Sequence, residues 1–213
     1  FSSSGNIDPR DVISYYLIIT GLSPLFNAGL GVASQTIKLI KHGELNEMLI
    51  KPVNPLLYPY AMTNGRNLVG ISFGLLQTML GIFIAGGISS NAIPYILPVL
   101  FNCLIINAAF NIIVGTFGFY FVEAGGAKNA VLHLAIFGRG ELMPIYLMPV
   151  SVATFLQFTP FPASHYHLTI LLQGNRLPEW GFVFIGVLWA IALMFFALRF
   201  WKHGLKKYEA VGL

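Results

Sequence analysis

The residues of this chain that could do chemistry are few and scattered. Two histidines flank a tyrosine in His165–Tyr166–His167, a spacing that could offer two imidazoles to a metal ion. No carboxylate or cysteine lies close in sequence to complete a ligand set, and aromatic and histidine residues equally suit a membrane interface. His133 stands alone in an apolar run and reads as a packed or hydrogen-bonded side chain ahead of a proton relay. Cys103 is the single cysteine, so neither a disulfide framework nor a cysteine metal cluster can form within one chain. No glycine-rich loop precedes a Lys-Ser/Thr pair, and there is no nucleophile elbow or HExxH helix. The sequence gives no support to catalysis, a nucleotide site, a metal or a cofactor within this chain, so the expectation is that it is not itself an enzyme.

Two charges stand where charge is costly. Arg139 and Glu141 follow the apolar stretch AVLHLAIF, and an ionised side chain inside a span faces a bundle interior, an interface or water. Residues two apart on a continuing helix do not face each other, so an intrahelical salt bridge is not expected and each needs another partner. The other reading ends the span before Arg139 and leaves both among outer headgroups. Asn102, Asn107 and Asn111 recur in an apolar run, the last two on one helical face. They read either as interhelical hydrogen-bond donors and acceptors or, together with Arg139 and Glu141, as part of a pathway or dimer interface.

The stretch KLIKHGELNEMLIKPVNP, residues 38–55, is a charged amphipathic island in an otherwise apolar chain. Gly43 breaks the preceding helix, and Glu44 sits where a new helix N-terminus favours an anion. Leu45, Met48 and Leu49 fall at i, i+3 and i+4 on one apolar face. Glu47 and Lys51 are spaced as a favourable i, i+4 pair off that face, and Pro52 and Pro55 stop the helix. Such a helix can lie on the bilayer surface or dock on a soluble partner.

The elements that must position these residues are membrane helices. Of 213 residues, 56% are hydrophobic and 9% charged, against about 25% charged in soluble domains. With a mean hydropathy of +0.73 the fold class is an all-α polytopic membrane protein. The net charge of +4 is spread between apolar runs instead of gathered on one face, which argues against nucleic acid. Residues 1–10 read as an outer loop, and spans are expected at 12–33, 68–88, 93–122, 130–148 and 181–201. Between them lie a cytoplasmic segment at 36–58 and, around Pro149, Pro160 and Pro162, short re-entrant or outer helices at 149–174; a tail runs over 202–213. Gly70 and Gly74 form a GxxxG pattern, either a packing face or simply the glycine common in membrane helices.

Nine basic residues (Lys38, Lys41, Lys51, Arg66, Lys128, Arg199, Lys202, Lys206, Lys207) are assigned to one side, against Arg10, Arg139 and Arg176 on the other. The side rich in Lys and Arg is expected to be cytoplasmic, which puts the visible N-terminus outside and the C-terminus inside. An outside start without a signal peptide leads to the expectation of a preceding span.

KHGELNEMLIKPVNPLLYP resembles the cytoplasmic G-E-L…L-x-[KR]-P-[VIL]-x-P segment of type-2 exporter ABC permeases. Within that class the chain resembles the poorly characterised bacterial permeases of the ABC-2 family. MPIYLMP at 143–149 and TPFPASHYHLTILLQG at 159–174 resemble the re-entrant region before the family's last span. The likeness covers nearly the whole chain, with two departures: five visible spans against the family's six, and Glu141 where the family is apolar or aromatic. The resemblance implies a permease of the bacterial cell membrane that pairs with an identical or homologous permease. Two cytoplasmic ATPase subunits would bind ATP and Mg. Gly43, Glu44, Leu45, Glu47, Met48, Leu49, Lys51 and Pro52 would then form the helix that docks on an ATPase, while a hydrophobic or amphipathic substrate is exported. Rival readings are a secondary transporter or channel, which calls for acidic residues on unwound helices, and a non-transporting membrane scaffold.

Overall fold

Pro24 lacks a backbone N–H, and the first apolar run stops helical winding just beyond it. In the computed structural model, residues 8–50, 53–174 and 176–212 are described, with their side chains except at 49 and 209–212. Helix α1 spans Pro9–Leu25, capped by Asp8, and α2 spans Gly31–Lys41. The expected single span over 12–33 is therefore two helices, separated by Asn27 and Leu30 with φ of 53° and 56°. Asn tolerates this left-handed conformation, whereas Leu is held there by its surroundings at a cost of about 1–3 kcal/mol.

The rest of the chain is also helical. α3 spans Leu45–Ile50, α4 Tyr58–Arg66, α5 Leu68–Ala85, α6 Ile93–Thr116 and α7 Ala124–Gly138. Three short helices follow, α8 Val150–Gln157, α9 Pro160–Ser164 and α10 Tyr166–Gln173, and α11 runs from Trp180 to Gly212. The structure is 80% helical with no strand among the described residues, which makes it all-α. Among the described residues, three segments are long and apolar enough to cross a membrane: Leu68–Ala85, Ser90–Phe119 and Trp180–Tyr208. Three expected boundaries move. α6 stops at Thr116 instead of 122, α7 starts at Ala124 ahead of the span expected from 130, and the tail continues α11.

α1 pairs with α5, and α6 packs along both α2 and α11. At one end of the bundle, Gln173 Nε2 donates to the Asp11 carbonyl (2.7 Å) and Trp180 stacks on Tyr95 at 4.2 Å. At the opposite end, Phe119 packs edge-on against Trp201 and Tyr208, and Lys41 reaches the Phe121 carbonyl. Arg139 belongs to neither end. It lies fully buried in the interior, which removes it from the outer group of basic residues.

The α1–α5 contact uses glycine, but not in the expected register. A Cβ on Gly74 would sit 2.4 Å from the Gly21 carbonyl oxygen, and one on Gly21 would sit 2.5 Å from Thr78 Oγ1. Gly81 similarly abuts Ile18, Leu17 and the Ser14 carbonyl. The packing stripe is thus Gly74, Thr78 and Gly81. A Cβ on Gly70 would meet only the side chain of Asn67, at the start of its own helix. Close backbone approach is the main source of helix attraction in lipid, where tails are as apolar as leucine. Gly74→Leu should therefore destabilise the protein by about 1–3 kcal/mol through overpacking, whereas Gly70→Ala should be close to neutral. Melting temperatures of the detergent-solubilised variants test this, and equal effects at the two positions would refute the register.

Candidate functional site

The three asparagines of α6 project from one buried tract, and each is spent on the backbone of another segment. Asn102 Nδ2 donates to the Val183 carbonyl in α11 at 2.9 Å. Asn107 Nδ2 donates at 2.9 Å to the Ser164 carbonyl, where α9 gives way to α10, and Cys103 Sγ donates to the same oxygen. Asn111 spans the α1–α2 break. Its Nδ2 donates to the Asn27 carbonyl at 3.0 Å, and its Oδ1 accepts from Ala33 N at 3.0 Å. A buried peptide group without a partner is costly, so Asn107 and Asn111 stand in for helical bonds that the breaks removed, while Asn102 ties α6 to the side of α11.

Arg139 completes the arrangement. Its Nε donates to Ser164 Oγ (3.1 Å), Nη1 to the Ala28 carbonyl (2.9 Å) and Nη2 to Asn107 Oδ1 (3.1 Å). One guanidinium thus joins the α1–α2 break, the middle of α6 and the α9–α10 junction. The Phe110 ring lies 5.9 Å from its central carbon. Glu141 Oε1 is 3.7 Å from Nη1, an ion pair too long to be a hydrogen bond.

That ion pair corrects the expectation that residues 139 and 141 cannot meet. The expectation assumed a continuing helix, but α7 ends at Gly138. Glu141 N donates to the Ile136 carbonyl and Gly140 N to the Phe137 carbonyl, both at 3.1 Å, while Gly140 has a φ of +78°. This is a Schellman closure, which requires a left-handed residue just past the helix and so favours glycine there. The turn folds Glu141 back beside Arg139. The alternative placement among outer headgroups also fails for Arg139, which is fully buried, while the Glu141 side chain keeps 18% of its surface exposed. Asn107 and Asn111 are buried within the chain as well.

The histidines go to separate partners. His165 lies beside Asn107, its Nδ1 3.4 Å from Nδ2, and meets the Phe26 ring edge-on. His167 Nε2 pairs with Gln157 Oε1 at 2.9 Å, and His133 bonds within α7 to the Asn129 carbonyl. Ser164, Gly140, the carbonyl of Ala28 and Tyr15, whose hydroxyl donates to the Gly140 carbonyl at 2.8 Å, had no sequence reading as site members. The NAGLG stretch after Pro24 was the available signal for a break whose carbonyls would need donors.

The amphipathic island forms a second centre at the end of the bundle that holds Trp201. Gly43 has a φ of +75° between α2 and α3, as its helix-breaking role requires. Leu45 and Met48 are buried, at 1% and 8% exposure, in a cluster with Leu39, Ile40 and Trp201, against which Leu205 and Tyr208 pack. The expectation that these two side chains present an open apolar face to a partner is corrected: the chain covers them itself. Glu44, Asn46, Glu47 and Ile50 are exposed, Ile50 at 86%. The Leu49 side chain, Lys51 and Pro52 lie outside the described residues, and with them the expected Glu47–Lys51 pair.

Helical segments of membrane-crossing length, a polar tie buried among their breaks and a short amphipathic helix at one end together describe a multi-pass membrane protein. The sequence matches the family model described as ABC-2 family transporter protein over residues 10–212. The chain belongs to the ABC-2 transporter family. This ABC-2 chain is thus a multi-pass permease of an ABC-type transporter, and its family implies association with ABC ATPase partners in general. No curated protein shows a significant match to it.

In this ABC-2 permease, Arg139→Met removes three hydrogen bonds and leaves the Ala28 carbonyl, Asn107 Oδ1 and the Glu141 carboxylate without their cation. Breaking one side of a buried pair costs about 3–5 kcal/mol, so the variant should lose most of its folded yield. Glu141→Gln should be milder, because Glu141 is partly exposed and Arg139 keeps its three other acceptors. Monodisperse yield and melting temperature check both, and wild-type behaviour of Arg139→Met would show that the tie contributes nothing.

Proposed function

We propose that this permease is the membrane half of an ATP-driven exporter of hydrophobic or amphipathic molecules, and that its ATPase docks on the polar side of α3. The observation that carries this reading is the one-sided burial of α3. Its inner residues Leu45 and Met48 are locked against α2 and α11, while Asn46, Glu47 and Ile50 face outward beside Glu44. A push on the outer side of such a helix is passed to α11 through packed side chains rather than through a flexible loop.

The arrangement we propose has five spans: α1 with α2, then α5, α6, α7 and α11. The Lys- and Arg-rich end that holds α3 faces the cytoplasm, and Arg10 and Arg176 lie outside. The short helices α8, α9 and α10 lie between α7 and α11 in the chain and re-enter from the outer end, so that the α9–α10 junction reaches Asn107 of α6. ATP and Mg belong to the partner subunits, whose free energy reaches the permease as a difference in affinity between two conformations. A second permease completes the pathway. The exposed leucines and phenylalanines of α5 and α11 are suited to lipid or to that second subunit. Export rests on the likeness to type-2 exporters.

Two kinds of substitution separate docking from folding. Asn46→Arg with Ile50→Asp alters only exposed positions, so folded permease should be recovered while ATPase copurification and ATP-dependent transport are lost. Leu45→Asp buries an unpaired charge and forfeits roughly 1.5–3 kcal/mol of apolar burial, so it should lower the yield of folded permease itself. Full ATPase recovery with the Asn46→Arg/Ile50→Asp permease would sink the docking assignment.

A further inference from the structure

A cavity of about 590 Å³ opens beside α8 and α10 at the end of the bundle that holds Trp180, and the function above makes no use of it. Its walls come from the segment around Tyr146, from α8 and α10, and from the residues that lead into α11. We propose that it binds the headgroup of a zwitterionic glycerophospholipid, with the acyl chains lying along α8 and α11.

The lining carries one charge of each sign. Arg176 is held over the Tyr146 ring at 4.0 Å, and Glu179 lines the same mouth three residues on. A guanidinium matches the geometry of a phosphate, and a carboxylate beside it favours the ammonium that follows in a zwitterionic headgroup. Deeper in, the lining is polar but neutral. His167 Nε2 faces Gln157 Oε1 at 2.9 Å and so donates to it, which leaves Nδ1 as an acceptor. That Nδ1 and the Tyr146 hydroxyl are buried without a hydrogen-bond partner, the former on a side chain 2% exposed. A headgroup supplies both complements: phosphate or ester oxygens accept from the hydroxyl, and an ammonium or glycerol hydroxyl donates to the imidazole.

The surroundings choose a lipid over a soluble zwitterion. Phe182, in the cavity wall, packs edge-on against Phe158 at 5.8 Å. Phe158 is exposed, as are Val150 and Phe155 of α8 and Phe184 and Leu188 of α11. In a membrane-spanning chain an apolar surface contiguous with a polar cavity accommodates tails joined to a head. Only the leaflet, the outer one, rests on the orientation proposed above.

The test uses the full-length chain extracted from membranes and re-equilibrated with equal amounts of phosphatidylethanolamine and phosphatidylglycerol. Lipid retained is read by native mass spectrometry, independently of any ATPase. Wild type should retain phosphatidylethanolamine roughly tenfold over phosphatidylglycerol, the scale set by one charge-assisted contact. Arg176→Gln should abolish retention of both, and Thr154→Trp, which fills the cavity from α8, should do the same. Glu179→Gln should erase the preference while keeping the phosphate contact. Excess soluble glycerophosphoethanolamine should leave the bound lipid in place. Equal retention of the two lipids by wild type, undiminished retention in Arg176→Gln, or displacement by the soluble headgroup would each overturn the proposal. Arg176 is exposed, so its variant gives an answer even if Thr154→Trp fails to fold.

Discussion

A peptide group removed from water must find a partner, and inside a bilayer it must find one in the protein. Everything unusual in the middle of this bundle follows from that constraint. The chain interrupts its helices at residues 26–30, at 139–149, at 158–159 and at 165, and each interruption frees carbonyls or N–H groups at depth. The sequence supplies the missing partners as side chains on α6, the most buried of the three long apolar segments. Asn111 takes both a donor and an acceptor at the first break, Asn107 takes the carbonyl at the last, and Arg139 fastens both to the end of α7. Asparagine suits this use because one amide offers donors and an acceptor a fixed distance apart. Arginine suits it because its planar fork reaches three segments at once while its charge is balanced by Glu141 close by.

A second constraint acts on the outside of the same bundle. Lipid offers no hydrophobic reward for joining two helices, so α1 and α5 come together where glycines let backbone meet backbone. Large apolar side chains are then free to face outward, and Phe73, Leu76, Met79 and Phe83 do so along α5. In water such a surface would drive aggregation; in a multi-pass permease it is the solvent-exposed face, with lipid as the solvent.

Composition and hydrophobic run length made the all-α membrane class legible, because they report burial in lipid directly. The asparagines and Arg139 were legible as costly residues that must have partners, since that follows from residue type alone. Which partners they have was not legible. The Arg139–Glu141 pair depends on a glycine leaving the helix in the left-handed region, and i, i+2 spacing forbids the pair only if the helix continues. The double break at Asn27 and Leu30 was obscured because residues 12–33 are apolar enough to read as one span. The GxxxG register was off by one turn, because the motif names spacing while the partner helix decides which glycine it meets.

The amphipathic island shows how far periodicity reaches. Spacing correctly marks Leu45 and Met48 as one face but is silent on what covers that face. Energetics is less silent. A six-residue helix cannot sustain itself in water, because nucleation costs more than so few hydrogen bonds return. It persists only if its apolar side is already packed, and here α2 and the extended end of α11 pack it through Leu39, Ile40, Trp201 and Leu205. A partner docking as proposed would therefore meet a helix whose apolar side is already occupied, leaving the exposed Glu44, Asn46, Glu47 and the protruding Ile50 for its recognition. Long α11, continuing well past the length a bilayer needs, has its reason in the same contact. Its stretch from Trp201 to Tyr208 packs into the same apolar cluster as Leu45 and Met48 of α3.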